Sequence, residues 1–183
     1  MSRQLAVLID GENISHRLYP QINQILQTAG AITALRVYAD WSLPYLRGWK
    51  SVTSLNGIIP VHQFQIGKNS TDSALTMDAI ELLHKHSEID TFCIVSSDSD
   101  FCALCQKLRT RGKEVIGIGG AQSPAVLRSC CNKFHVIGRE ENRMNSNIIT
   151  RNVVCLSPRH LIHQSDLALN SKSVRQISAL CGG

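Results

Sequence analysis

The stretch LAVLIDG, residues 5–11, is a continuous apolar run that ends at an aspartate and a glycine. Similar, largely apolar runs recur further along the chain, at residues 34–39, 58–64, 92–95 and 115–118. Uninterrupted runs of this length are typical of strands that are buried on both faces of a parallel sheet. The sequence therefore predicts a sheet of five parallel strands.

Helical patterns alternate with the five predicted strands. In residues 20–29, Ile22, Ile25 and Leu26 recur at helical spacing. Further helices are predicted to open at Pro44 and to cover residues 70–86, 101–111 and 123–132. Because strands and helices alternate and crossovers between parallel strands are right-handed, we expect an α/β fold, a three-layer α/β/α sandwich around the sheet.

Pro60 constrains the position of the third strand. It lies inside the run 58–64, where a proline removes one hydrogen bond of the strand ladder, so this strand should lie at an edge of the sheet. The strand order 3-2-1-4-5 satisfies that constraint. It makes strands one and four neighbours at the point where the order reverses, and ligands of open parallel sheets bind beyond the strand ends at such a point.

Composition bounds the class of protein. The 183 residues, 43% of them hydrophobic, suit one domain, which we place at residues 1–138, followed by a linker and short tail of unknown fold at 139–183. The first residues lack the features of a secretory signal, and no apolar run approaches the length of a membrane span. Seven cysteines, an odd number, indicate reduced thiols. We therefore expect a cytoplasmic protein without membrane contact, and its net charge of +5 is compatible with a nucleic-acid partner.

Acidic residues follow the two strands that flank the reversal point. Asp10 ends the first run, and Asp98 and Asp100 follow the fourth. Asp72 lies in the first turn of a predicted helix, on the arc that faces the sheet. Carboxylates in one crevice repel one another unless a cation offsets their charge, and all-oxygen ligation suits Mg²⁺ or Mn²⁺ rather than zinc. Such ions activate water and stabilise the oxygens of a phosphodiester, so we expect hydrolysis of that bond.

Several segments together resemble one known family. They are LAVLIDGEN (5–13), RVYADW (36–41), KNSTDSALTMDA (68–79), IVSSDSDF (94–101), GKEVIGIG (112–119) and SPAVL (123–127). In order and spacing they resemble a NYN domain of the LabA-like branch of the PIN-like nuclease superfamily. The resemblance implies a PIN-like three-layer fold, metal-dependent endoribonuclease activity, and functional roles for Asp10, Asn13, Asp72, Asp98 and Asp100. The chain departs from the family pattern at Ser97, where glycine is more common, and at Cys131-Asn132, which replace an alanine-aspartate pair.

Each candidate also has a plainer interpretation. Asp10 alone is equally typical of a turn, Asp72 can cap its helix, and Asn13 can satisfy its loop backbone instead of orienting a metal-bound water. Asp78 and Ser97 are candidates to support the metal ligands. The alternative for Asp78 is anchoring a neighbouring group, and for Ser97 it is bonding the strand-end loop.

The segment after the second strand combines aromatic faces with cations, as proteins that grip single-stranded RNA do. Its candidates are Trp41, Tyr45, Arg47, Trp49 and Lys50. Ordinary packing is the alternative for them. Lys68, just before the acidic helix, either contacts a phosphate or is solvated. We expect single-stranded RNA as the partner, and a homodimer or a protein partner bound through the tail is a further expectation.

Two further patterns receive plain interpretations. Gly117, Gly119 and Gly120 lack a full dinucleotide or Walker pattern, and we interpret them as a tight turn. Cys102 and Cys105 form one C-x-x-C motif within a predicted helix, where core thiols are favoured over a zinc or redox site.

The leading hypothesis is an endoribonuclease in which Asp10, Asp98 and Asp100 hold the metal, Asp72 completes the acidic ring and Asn13 orients it. The alternative is a weakly active or inactive RNA-binding or regulatory module that keeps the acidic site, because a fold does not establish function. An aspartyl-phosphate phosphatase and a receiver domain use the same sheet, but this chain lacks the residues that each would need after its strands.

Overall fold

A computed structural model describes residues 3–63 and 70–138 of the chain. Six parallel strands form one sheet. They are β1 (Gln4–Asp10), β2 (Ala31–Ala39), β3 (Ile59–His62), β4 (Thr91–Val95), β5 (Glu114–Gly120) and β6 (Lys133–Ile137). Their order is β3-β2-β1-β4-β5-β6, which confirms the predicted order and adds one strand to it.

Helices connect the strands. The five α-helices are α1 (Tyr19–Ala29), α2 (Gly48–Asn56), α3 (Ser70–Lys85), α4 (Cys102–Thr110) and α5 (Ala125–Cys130). Short 3₁₀ turns precede three of them, at His16–Leu18, Pro44–Arg47 and Ser99–Phe101. The helix predicted at 101–111 therefore begins with a 3₁₀ turn, and the one predicted at 123–132 is shorter than expected. No helix in the described ranges is long and apolar enough to cross a membrane.

Two hydrophobic cores lie on opposite faces of the sheet. On one face, Leu26 of α1 and Trp49 of α2 pack against a set of strand residues that includes Ile9. On the other face, residues of α3, α4 and α5 form a second cluster with strand residues, with Leu75 and Leu108 fully buried. The result is the three-layer α/β/α sandwich that the alternation of strands and helices predicts.

Strand β3 lies at an edge of the sheet, as Pro60 predicts. It pairs with β2 on one side, where Pro60 lies opposite Val37. Pro60 is exposed, and Ile59 beside it keeps 55% of its surface accessible. A proline destabilises a sheet least in an edge strand, because the backbone N–H that it lacks would have no neighbouring strand to pair with on the open side.

The opposite edge strand, β6, was missed. Its sequence KFHVI alternates polar and apolar residues, and within it Ile137 is buried while Lys133 and Val136 are exposed. A criterion based on continuous apolar runs does not detect a strand of this kind.

The interpretation of Gly117, Gly119 and Gly120 as a tight turn is wrong. All three lie within β5 and are buried. A Cβ on Gly117 would lie 2.4 Å from a ring carbon of Phe134, and one on Gly119 would lie 2.6 Å from the carbonyl oxygen of Ser96. These glycines allow neighbouring strands and side chains to approach β5 closely.

Candidate active site

Asp10, the last residue of β1, lies at the centre of the candidate site. Its side chain is 3% exposed. Ser96, directly after β4, donates a hydrogen bond from its hydroxyl to Asp10 Oδ2 at 2.9 Å, and the backbone N–H of Asn13 donates to Asp10 Oδ1 at 3.1 Å. Two loops from adjacent strands therefore hold the carboxylate in place. The side chain of Asn13 itself is exposed.

The environment of Asp10 opposes its ionisation. Burial raises the pKa of this carboxyl to about 6, against an ordinary value of 3.8. The hydrogen bonds from Ser96 and Asn13 lower the pKa, and the nearby carboxylates of Asp72 and Glu12 raise it further. A buried carboxyl with this raised pKa is a frequent feature of functional sites.

Asp72 approaches the site from the first turn of α3. Its pKa is raised by burial first, and then by the negative charges of Asp98, Asp100 and Glu12. Since Asp72 also raises the pKa of Asp10, the acids from β1, β4 and α3 share one electrostatic environment. The structure thus brings together the four aspartates that the sequence predicts at this end of the sheet.

After β4, Asp98 immediately precedes the 3₁₀ turn Ser99–Phe101, and Asp100 lies within it. Asp98 caps this turn, because its Oδ1 accepts the N–H of Asp100 at 2.9 Å. Its own N–H donates to Ser96 Oγ at 3.1 Å, so Ser96 links Asp98 to Asp10. Ser97 bonds the end of the neighbouring strand: its hydroxyl accepts the N–H of Gly120, the last residue of β5, at 2.9 Å.

Glu12 belongs to the same cluster and was missed by sequence reasoning. Its Oε1 accepts the N–H of Asp40 at 2.9 Å and the hydroxyl of Thr71 at 2.8 Å. It thereby joins the ends of β1, β2 and α3. Its place two residues after Asp10 was the available signal, but the side-chain direction of a loop residue does not follow from the sequence.

Asp40, the residue after β2, is a second acid that sequence reasoning left without a role. It is 5% exposed, and its Oδ1 accepts hydrogen bonds from the N–H and the hydroxyl of Ser42 at 3.0 and 2.6 Å. It shapes the loop that carries the aromatic segment. Its position after the neighbouring parallel strand was the signal for it.

The donor set tests whether a hard cation fits. Carboxylate oxygens dominate the cluster, and Mg²⁺ is typically held by one or two carboxylates together with water and phosphate oxygens. In the described part of the chain, no three His, Cys, Asp or Glu side chains converge closely enough to enclose an ion. The described acids therefore offer the oxygen ligands that a hard cation prefers, but they do not form a ready-made cage for one.

Asp78 is engaged elsewhere. Its carboxylate accepts hydrogen bonds from the guanidinium of Arg36 and the hydroxyl of Tyr38, both on β2. These contacts clamp α3 to the sheet. They match the anchoring alternative for Asp78 rather than a supporting role beside the acids.

The aromatic and basic candidates lie in different environments. Trp49 is 1% exposed and donates its indole N–H to the carbonyl of Gly11 at 3.2 Å. A stacking role for Trp49 at the surface is therefore wrong, because almost the whole residue is buried. Trp41 is partly buried and donates to the carbonyl of Val61 at 3.1 Å. Arg47 and Lys50 are exposed.

The remaining sequence predictions concern Lys68, the tail and the C-x-x-C motif. Lys68 and the predicted linker and tail, residues 139–183, lie outside the described residues. Cys102 and Cys105 lie in α4 as free thiols, and Cys105 is buried whereas Cys102 is partly buried.

A family model for the NYN domain matches residues 4–138, which cover the whole sheet and every acid of the cluster. The chain belongs to the NYN domain family. This family is generally nuclease-like, and the six-stranded parallel sheet with helices on both faces is consistent with a PIN-like NYN fold.

Two similar proteins extend the comparison of this NYN domain. The protein "Uncharacterized protein MJ0482" of Methanocaldococcus jannaschii is 31% identical to this chain over 121 residues. That match covers 63% of this chain and 47% of the relative, so the chain spans about half the length of the curated relative. A crystal structure of a protein of unknown function, VPA0982 of Vibrio parahaemolyticus, has a TM-score of 0.60 and 22% identity, and the match covers 75% of this chain and 94% of that one. The latter likeness concerns the fold alone.

Proposed function

We propose that this NYN domain, of the LabA-like branch, is a cytoplasmic endoribonuclease that hydrolyses phosphodiester bonds of single-stranded RNA with Mg²⁺ or Mn²⁺. The observation that carries the proposal is the buried carboxylate of Asp10, held by Ser96 and Asn13 at the strand end where further acids follow β4 and begin α3. Such a concentration of negative charge repels an RNA phosphate unless a cation binds there first.

In this proposal Asp10, Asp72, Asp98 and Asp100 hold the cation, directly or through water. When bound, the ion supplies an activated water and charge stabilisation for the phosphodiester. Ser96 orients Asp10 through the bond to Oδ2 and fixes the Asp98 loop at the same time. Glu12 adds negative charge and ties the loop after β1 to Thr71. Asn13 contributes its backbone N–H to Asp10, and its exposed side chain is free to reach a bound water or substrate.

The test is cleavage of a single-stranded RNA with Mg²⁺ or Mn²⁺ by the wild type and Asp98→Asn. We expect the substitution to lower the rate by a factor on the order of a hundred or more, as for loss of a group that stabilises developing charge. Glu88→Gln is the matched control, because it removes the charge of an exposed acid that precedes β4 at the opposite end of the sheet. Equal rates for Asp98→Asn and the wild type would exclude the proposed active site.

A weakly active or inactive RNA-binding module is the second candidate. One observation favours it: in the described ranges no three potential ligands converge closely enough to enclose a metal ion. Tight RNA binding without a metal-dependent product after long incubation would support this candidate. Rapid cleavage would exclude it.

A further inference from the structure

A cavity of about 380 Å³, here called the side cavity, lies next to the acid cluster. Residues 11–17, in the loop after β1, form one wall, and Tyr45, Leu46 and Trp49 form the other. Its volume lies in the range of sites that bind small organic molecules. The residues of this cavity other than Glu12 and Asn13 have no part in the proposed cation site.

The side cavity begins where the acid cluster ends. Gly11 and Glu12, which line it, directly follow Asp10, and Asn13 in the same wall donates its N–H to Asp10 Oδ1 at 3.1 Å. A group bound in the cavity would therefore contact the loop that follows Asp10 and includes Glu12. For an RNA strand, that is the position of a nucleoside adjacent to the reacting phosphate.

One wall of the cavity is aromatic. The side chain of Tyr45 is 64% exposed, so its ring is available for stacking. Partial burial raises the pKa of the Tyr45 hydroxyl, and the charges of Glu12, Asp40 and Asp10 raise it further, which means that the phenol lies near the acid cluster. Trp49 closes the inner side, held by its bond to Gly11 and by an edge-to-face contact with Tyr19 at 6.4 Å between ring centroids.

The opposite wall is polar and, at one end, basic. The His16 ring packs on Gly48, where an added Cβ would lie 2.1 Å from the ring carbon Cε1. Arg17 is exposed, and among the described residues no acid forms an ion pair with it. Asn13 and Ser15 present short polar side chains that can bond the edge of a base. The cavity thus combines a stacking face, hydrogen-bonding groups and one cation.

We propose that the side cavity binds the nucleoside next to the scissile phosphate, with its base against Tyr45 and its outer phosphate at Arg17. Bases of single-stranded RNA are typically bound by stacking on aromatic rings and by hydrogen bonds to their edges. Glu12 disfavours a phosphate on the inner side, which orients the nucleotide with its base inward. This inference rests on the proposed function in that it takes RNA as the substrate class.

The test measures binding of the four ribonucleoside 5′-monophosphates without divalent cations. Trp41→Phe leaves Trp49, which lines the cavity, as the one tryptophan, so its fluorescence reports on occupancy. We expect saturable binding that Tyr45→Ala weakens by roughly 5-fold or more, since the variant removes the ring on which the base stacks. Tyr45→Phe should stay within about two-fold of the starting protein, and so should Leu55→Ala, a control at an 84% exposed position on α2.

Further variants separate this inference from the nuclease proposal. Arg17→Gln should weaken monophosphate binding and leave binding of the uncharged nucleosides unchanged. Asp98→Asn should instead lower the cleavage rate about a hundredfold or more and retain monophosphate binding. Tyr45-dependent binding without any RNA cleavage would support the cavity and refute the nuclease. The cavity inference would be overturned if cleavage depended on Asp98 while Tyr45→Ala changed neither binding nor cleavage. A fluorescence response to inorganic phosphate alone that equals the response to the monophosphates would overturn it as well.

Discussion

At the scale of the residue, Asp10 shows the unfavourable burial of negative charge that a bound cation is expected to offset. Its carboxyl is buried among other acids, and two hydrogen bonds stabilise its charge only in part. Burial makes the Asp10 carboxyl costly to ionise, yet hydrogen-bond donors from two loops hold it in place. This combination favours a functional role for Asp10 over a role in stabilising the fold. Ser96 and Asn13 supply these donors.

We predict that Asp10→Asn raises the free energy of unfolding of the cation-free protein at neutral pH. The folded-state pKa of about 6 exceeds the unfolded value of 3.8, so the folded state binds more protons between these values and stability falls as the pH rises from about 4 to about 6. The loss is on the order of 2 kcal/mol and persists above pH 6. Urea unfolding in a chelating buffer, at about pH 4 and about pH 7.5, measures it.

The difference in stability between Asp10→Asn and the wild type should therefore be larger at the higher pH. Glu88→Gln is again the matched control, because Glu88 is exposed and its pKa is lowered rather than raised, chiefly by a backbone hydrogen bond and by His86. A difference for Asp10→Asn that does not change with pH would show that the Asp10 carboxyl is not destabilised by burial.

Residue types and strand ends allowed the four aspartates to be predicted from sequence. A parallel sheet fixes where its strand ends meet, so Asp10 and the pair after β4 follow from topology. Glu12 and Trp49 could not be assigned in the same way. The direction of a side chain in a loop, and the exposure of an aromatic residue on a short helix, depend on packing against distant elements.

At the scale of the element, close contact between β4 and β5 supports the site. Gly119 lies where a Cβ would meet the backbone carbonyl of Ser96 at 2.6 Å and the hydroxyl of Ser123 at 2.5 Å. Ser96 in turn bonds Asp10 and Asp98. A glycine that appears in the sequence as a turn former therefore sets the spacing of the strand end that carries the acids.

We predict that Gly119→Ala destabilises the fold by about 1–3 kcal/mol, the usual cost of overpacking, and lowers RNA cleavage in the protein that remains folded. The backbone oxygen of Ser96 cannot rotate away as a side chain can, so β4 and β5 must separate. Gly57→Ala is the control: Gly57 has a positive φ of 64° but nothing within 4 Å of an added Cβ, and we expect about 1 kcal/mol or less and unchanged cleavage. Equal losses for the two variants in thermal unfolding and cleavage would contradict this role for Gly119.

The elements themselves were largely predictable. Strands buried on both faces leave continuous apolar runs, and Pro60 identified one edge strand. Strand β6 was not predicted because an edge strand with alternating polarity lacks the continuous apolar run of a buried strand. The glycines of β5 were misinterpreted for a related reason: the sequence does not show what lies above or below a strand.

At the scale of the whole molecule, the charge distribution links cation and RNA. The chain has a formal net charge of +5, which favours approach of a polyanion, whereas the acid cluster opposes the final contact with a phosphate. In the proposed function, a divalent cation at the cluster would offset this repulsion. The central claim is therefore that the acids from β1, β4 and α3 form one divalent-cation site.

The most direct measurement is calorimetric titration of the wild type, Asp10→Asn, Asp98→Asn and Glu88→Gln with Mn²⁺ in two buffers of different ionisation enthalpy. We predict that the two aspartate variants bind the ion at least about tenfold more weakly, while Glu88→Gln stays within about two-fold of the wild type. At about pH 6 the wild type should release roughly half a proton per bound ion, because the Asp10 carboxyl must ionise to bind it. At about pH 7.5, where this carboxyl is already ionised, almost no proton should be released. The same Mn²⁺ affinity in all four proteins, or no binding by the wild type, would contradict the account.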